Sequence, residues 1–174
     1  MTSAVAAKVA RVASVTTFEP NPFTQDFLRK VFEVNGATVD LREGILLPQP
    51  TNETRDFHAR PHVYGSSLFD SSPVKGKVVQ VKAFGLGEVL AEVSPTVISC
   101  DIEGAEIELW AEAKLPGVRA MVIEVHPKVT GQPAIDGMLA HLNKIGLKVN
   151  AGLSKPNVKV LQRAALDPRR LLRP

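Results

Sequence analysis

Short β-branched apolar runs alternate with segments of helical spacing along most of this chain, and no other feature constrains the fold as much. Ala13 to Phe18, Thr38 to Leu41, Ile45 to Leu47, Val78 to Ala83, Val97 to Cys100, Val118 to Val125, Leu147 to Asn150 and Val158 to Gln162 read as strands. Between them, Thr24 to Asn35, Glu88 to Val93, Ala105 to Lys114 and Ala134 to Lys144 read as helices, and Thr2 to Val9 is Ala-rich and helix-favouring. Asn35-Gly36 and Gly146 supply helix stops. Val78 to Ala83 alternates and is expected at a sheet edge. Strand and helix in alternation, joined by short connections, imply right-handed βαβ units and a mostly parallel sheet. The last two strands are joined only by Gly152-Leu153-Ser154-Lys155-Pro156-Asn157. A parallel crossover needs about a dozen residues, so these two must be antiparallel neighbours. The expected architecture is an open α/β sheet, mostly parallel, with an antiparallel C-terminal hairpin.

A length of 174 residues suits one domain, and 44% hydrophobic content is enough to bury a core. The net charge of +3 is modest, and part of it gathers in Arg163, Arg169, Arg170 and Arg173. Residues 163–174 are therefore read as a solvated basic tail, with neither nucleic acid nor membrane as partner. Cys100 is the single cysteine and lies inside an apolar run, which excludes an intrachain disulfide and favours a structural thiol. No apolar stretch approaches the roughly 20 residues of a membrane span. The first residues carry Lys8 and Arg11 without the apolar core of a secretory signal. A soluble, cytoplasmic protein is expected.

Three strand ends carry chemistry. Val97 to Cys100 leads directly into Asp101-Ile102-Glu103-Gly104-Ala105-Glu106, with three carboxylates in six residues. The first strand ends at Glu19-Pro20-Asn21-Pro22, and another ends at Glu124-Val125-His126-Pro127. If the strands run parallel, all three open on the carboxyl edge of the sheet, where open α/β folds bind ligands. Glu103 and Glu106 can equally be acids favoured by the positive end of the following helix. Glu19 is flanked by prolines that block simple capping, and its carboxylate suits the two hydroxyls of a ribose. His126 is either a surface histidine or a general base, since an imidazole titrates near neutrality.

Other candidates carry less. Gly85-Leu86-Gly87 imitates a phosphate loop but lacks the third glycine and the long helix. His58 and His62 lack further ligands at zinc spacing, so no metal is expected. Trp110 reads as core. Ser66-Ser67 reads as a turn within the polar excursion from Pro48 to Pro73, which contains a short hairpin near Asp56 to Leu68.

Phe18-Glu19-Pro20-Asn21-Pro22, Asn35-Gly36, Glu43-Gly44-Ile45, Gly65-Ser66-Ser67-Leu68, Asp101-Ile102-Glu103-Gly104-Ala105-Glu106 and Ile123-Glu124-Val125-His126 together resemble the FkbM-type methyltransferases. These are Rossmann-like, S-adenosyl-L-methionine-dependent enzymes. The pieces come in the family's order and roughly its spacing, over about Met1 to Gln162, and the first and fifth are specific as a pair. The resemblance implies a Rossmann-like methyltransferase sheet. It implies methyl transfer to a hydroxyl of a small molecule or glycan, with the Pro48 to Pro73 excursion shaping the choice of acceptor. By that resemblance Glu19 binds the cofactor's ribose, Pro20 and Asn21 border the adenine, and Glu43, Gly44 and Ile45 lie along its other side. Asp101 also borders the cofactor. Asp101, Glu103 and Glu106 face the transfer site, with Glu124 and His126 opposite, and Asp101 or His126 takes the hydroxyl proton. The family's first strand and glycine-rich turn have no counterpart here. The expectation is a truncated chain, a mis-assigned start or a degraded copy, and the alternative function is a non-catalytic binding module.

Overall fold

A computed structural model of the chain describes residues 14–49, 53–60 and 77–163. The expected helix at Thr2 to Val9, the Gly65 to Leu68 motif, His62, most of the hairpin beyond Ala59 and the tail beyond Arg163 lie outside them. The chain divides after Gly85 into two compact units.

In the first unit, β1 (Thr16–Phe18) pairs in parallel with β2 (Asp40–Arg42), and α1 (Pro22–Val34) links them. The helix starts two residues earlier than its apolar spacing predicts. Asn21 caps it by accepting from the Phe23 N–H at 3.1 Å. Pro22 follows at a position whose N–H would be unpaired in any case. At the other end the Gly36 N–H donates to Glu33 O and the Ala37 N–H to Phe32 O, both at 2.9 Å. This Schellman arrangement needs the positive φ of Gly36, 55°. Leu28 and Phe32 bury one face of the helix with Val31, Ala37, Val39 and Leu41.

The same unit holds a three-stranded sheet of β3 (Gly44–Leu47), β5 (Lys77–Gly85) and β4 (Thr54–Ala59), in that order. β3 runs parallel to β5 and β4 antiparallel. The strand expected at an edge, Val78 to Ala83, is thus the central one. Its alternation reflects one covered face: Val81 and Ala83 pack with Ile45, Phe57 and Ala59, while Val78, Gln80 and Lys82 face outward.

The second unit begins with α2 (Leu86–Val93) and forms a four-stranded sheet ordered β6 (Val97–Cys100), β7 (Ala120–Glu124), β9 (Val158–Arg163), β8 (Leu147–Val149). β6 and β7 are parallel, and β9 is antiparallel to both β7 and β8, as the short connection requires. Among the described residues, parallel and antiparallel pairings are equally frequent, so the fold is mixed α/β rather than mostly parallel. α3 (Glu106–Trp110) is shorter than the predicted Ala105 to Lys114 helix. Ala113, Leu115 and Val118 are all buried, a spacing no helix sustains there, and Pro116 disfavours helix at Leu115. After α4 (Pro127–Thr130), α5 (Gln132–Lys144) packs on β8; its Ile135, Met138 and Leu142 are fully buried, as are Met121, Ile123, Leu147 and Leu161 of the sheet. No helix of the described residues is long and apolar enough to cross a membrane.

Arg163 is not part of a solvated tail. It ends β9, and its guanidinium donates to Val118 O at 2.7 Å, Ile145 O at 2.7 Å and Leu115 O at 2.6 Å. Gly146, at φ 95°, leaves it room: a Cβ there would lie 2.8 Å from Arg163 Nη1.

Candidate functional site

β6 and β7 are parallel neighbours, so both carboxyl ends open on one edge of the second unit. The loop after β6 carries the acids, and the turn after β7 carries His126. Pro127 opens α4, and the His126 carbonyl accepts from the Val129 and Thr130 N–H groups at 2.9 and 3.0 Å. This one-turn helix fixes the imidazole beside the acids.

Glu106 lies beneath them. It is only 1% exposed, although the sequence suggested an acid on an open helix end. Its place on α3 explains this: Leu109 and Trp110, three and four residues on, share its buried face. Glu106 Oε1 accepts from His126 Nδ1 at 2.8 Å, from the Gly104 N–H at 3.2 Å and from the Ile102 N–H at 3.4 Å. Its other oxygen is buried with no hydrogen-bond partner among the described residues. With Nδ1 held by Glu106, the other ring nitrogen faces outward, 3.5 Å from Glu103 Oε2 and 3.7 Å from Asp101 Oδ1.

The acid loop is bent sharply to achieve this. Glu103 has φ 55°, an uncommon value for a residue with a side chain, and Gly104 has φ 110°. A Cβ at Gly104 would also strike Val129, 2.7 Å from its Cγ1. Strained backbone of this kind costs of order 1–3 kcal/mol and tends to mark functional sites.

The Asp101 carboxyl is pushed above its ordinary value, first by desolvation and next by the charge of Glu103, with His126 opposing and Glu106 adding. A carboxyl whose folded-state value is raised favours the folded state while protonated, and that contribution is lost as pH rises through the raised value. Asp101→Asn should therefore melt slightly above the wild type at pH 7 in chelator-containing buffer. The gap should close as pH falls below about 4, the ordinary aspartate range. Thermal melts from pH 3 to 8 check this, and a variant less stable than wild type at pH 7 would contradict it.

Asp101, Glu103, Glu106 and His126 are thus brought together as expected. Glu124 ends β7, but no hydrogen bond or ion pair joins it to this group among the described residues. Cys100 is buried, accepts from Trp110 Nε1 at 3.3 Å, and burial pushes its thiol up to about 12. It is structural, and Trp110 is core.

The cofactor candidates other than Asp101 lie in the first unit. Glu19 Oε1 accepts from the Asn21 N–H at 2.8 Å, and the Glu19 carbonyl accepts from Gln25 Nε2 at 2.9 Å. Burial raises its carboxyl above the ordinary value, partly offset by that Asn21 bond. Asn21 is buried and donates to Arg60 O at 2.9 Å, so its side chain serves the fold as well as the helix cap. Glu43 is ion-paired with Arg29. Gly44 abuts β5: a Cβ there would meet the Lys82 carbonyl and the Phe84 ring. Ile45 is core. Asp101, Glu103 and His126 offer ligand atoms within 4.8 Å of one another, a grouping the sequence did not suggest. Its signal was an Asp-x-Glu at one strand end with a histidine just past the next.

No family model matches the chain, and no curated protein or solved structure matches it.

Proposed function

We propose that the protein is an S-adenosyl-L-methionine-dependent O-methyltransferase of Rossmann-like fold, acting on a hydroxyl of a small molecule or glycan. The observation that carries this is the Glu106–His126 pair at the carboxyl ends of β6 and β7, with Nε2 turned outward among carboxylates. Supporting it, β9 lies antiparallel between β7 and β8.

Glu19 fits the nucleoside end of the cofactor. One of its oxygens is held by Asn21, and the other makes no hydrogen bond among the described residues. A carboxylate with a raised value gains from hydroxyl donors such as a ribose supplies. S-adenosyl-L-methionine held there would supply a sulfonium methyl for the acceptor oxygen, with a neutral thioether as the leaving group. The protein's own task is to place that oxygen and take its proton. His126 Nε2 accepts the proton, and Glu106 holds the ring and balances the charge that forms on it.

Titration of S-adenosylhomocysteine into the chain by calorimetry tests the proposal. Saturable binding is expected, weakened at least tenfold, about 1.4 kcal/mol, in Glu19→Ala. Absence of binding in this chain and in a version extended upstream would sink the enzyme reading.

A further inference from the structure

We infer that Asp101, Glu103 and His126 bind a divalent first-row metal cation, with Glu106 orienting His126 from behind. The ligand atoms of the three groups lie within 4.8 Å of one another. Small side-chain movements bring them to metal-bond distance. The histidine is already arranged as metal-binding histidines are: one ring nitrogen on a carboxylate, Glu106 Oε1 at 2.8 Å, and the other presented to further ligands.

A second observation points the same way. Three carboxylates surround one imidazole, and Glu106 Oε2 is buried with no donor. Even a fully protonated imidazole leaves the group short of positive charge. A dication between Asp101, Glu103 and Nε2 supplies it and draws charge off the carboxylate behind. Two carboxylate oxygens suit Mg²⁺ or Mn²⁺, while an imidazole suits Zn²⁺ or Fe²⁺; the mixed set favours Mn²⁺ or Zn²⁺ over Mg²⁺.

Metal binding itself does not depend on the methyl-transfer proposal. Its use does: a cation here would bind the acceptor hydroxyl directly and lower its pKa. With the cation bound, His126 would be a ligand in place of the base it is in the metal-free protein, and the metal-activated hydroxyl would lose its proton to solvent.

Mn²⁺ titrated into the full chain without any cofactor, with free Mn²⁺ followed by electron paramagnetic resonance and Zn²⁺ as competitor, tests the inference. One saturable site is expected. Asp101→Asn, Glu103→Gln and His126→Gln should each weaken it tenfold or more. Glu106→Gln, which reaches the metal only through His126, should weaken it about 10–100-fold. Glu108→Gln, exposed on the same helix, should leave it unchanged. Circular dichroism establishes that each variant is folded. If His126→Gln or Glu106→Gln does not fold, the variants of exposed Asp101 and part-buried Glu103, Asp101→Asn and Glu103→Gln, decide. No saturable site in the wild type, or one that survives both of those changes, overturns the inference. Because no S-adenosyl compound is present, failure here is separate from failure of methyl transfer.

Discussion

Arg163→Met should destabilise the second unit by about 3–5 kcal/mol, the largest effect expected of any single change outside the site. A hydrogen bond from a charged donor contributes about 1.5–3 kcal/mol net. Arg163 makes three, at 2.6 to 2.7 Å, to the carbonyls of Leu115, Val118 and Ile145. Their sum is reduced because Arg163 is only half-buried, so water can reach some of the carbonyls it leaves. Methionine keeps the apolar stem and removes the fork, which isolates the bonds from the packing. Arg163→Lys keeps the charge but has one nitrogen for three carbonyls, and should recover less than half of the loss. Urea unfolding monitored by Trp110 fluorescence reads the second unit. A loss under 1 kcal/mol for Arg163→Met would mean that solvent replaces the fork at little cost.

No local pattern could have revealed this latch. The three carbonyls lie 18 to 48 residues from Arg163. An arginine near a basic C-terminus looks the same in sequence whether it binds water or backbone. The sequence was a better guide where signals are local. Asn35-Gly36 stopped α1 as expected, and the short connection forced β8 and β9 to be antiparallel. β5 was misjudged because alternation reports that one face is covered. Edge or centre depends on backbone pairing with β3 and β4, which side-chain pattern does not encode.

The site was legible to the same depth. Strand ends located Asp101 and His126, but not which acid would hold the histidine. Glu106, Leu109 and Trp110 are all buried. Their spacing of three to four residues places the glutamate on the inner face of α3, which the helix-end reading of Glu106 overlooked. The left-handed turn at Glu103 was hidden because only Gly104 announced a bend.

In chelator-containing buffer, on a hydroxyl acceptor found by screening sugars, phenols and lipid alcohols, His126→Ala should slow methyl transfer about 10²–10⁴-fold, the usual contribution of a positioned base. Cofactor affinity should stay unchanged, because the assigned ribose ligand, Glu19, is elsewhere in the chain. Glu106→Gln should also slow transfer, by less, and flatten the pH dependence. The amide keeps an acceptor for His126 Nδ1 but withdraws the charge that stabilises the protonated ring. If Glu106 acts through His126, the double variant is no slower than His126→Ala alone, since groups that work as a unit are not additive. Independent, additive losses would assign Glu106 a separate role in holding the Ile102 and Gly104 amides, and so the shape of the loop. A Glu106→Gln chain that unfolds more easily, yet transfers methyl at the wild-type rate with an unchanged pH profile, would leave it a structural acid alone. Full activity in His126→Ala would remove the imidazole from the chemistry and leave Asp101 as the proton acceptor.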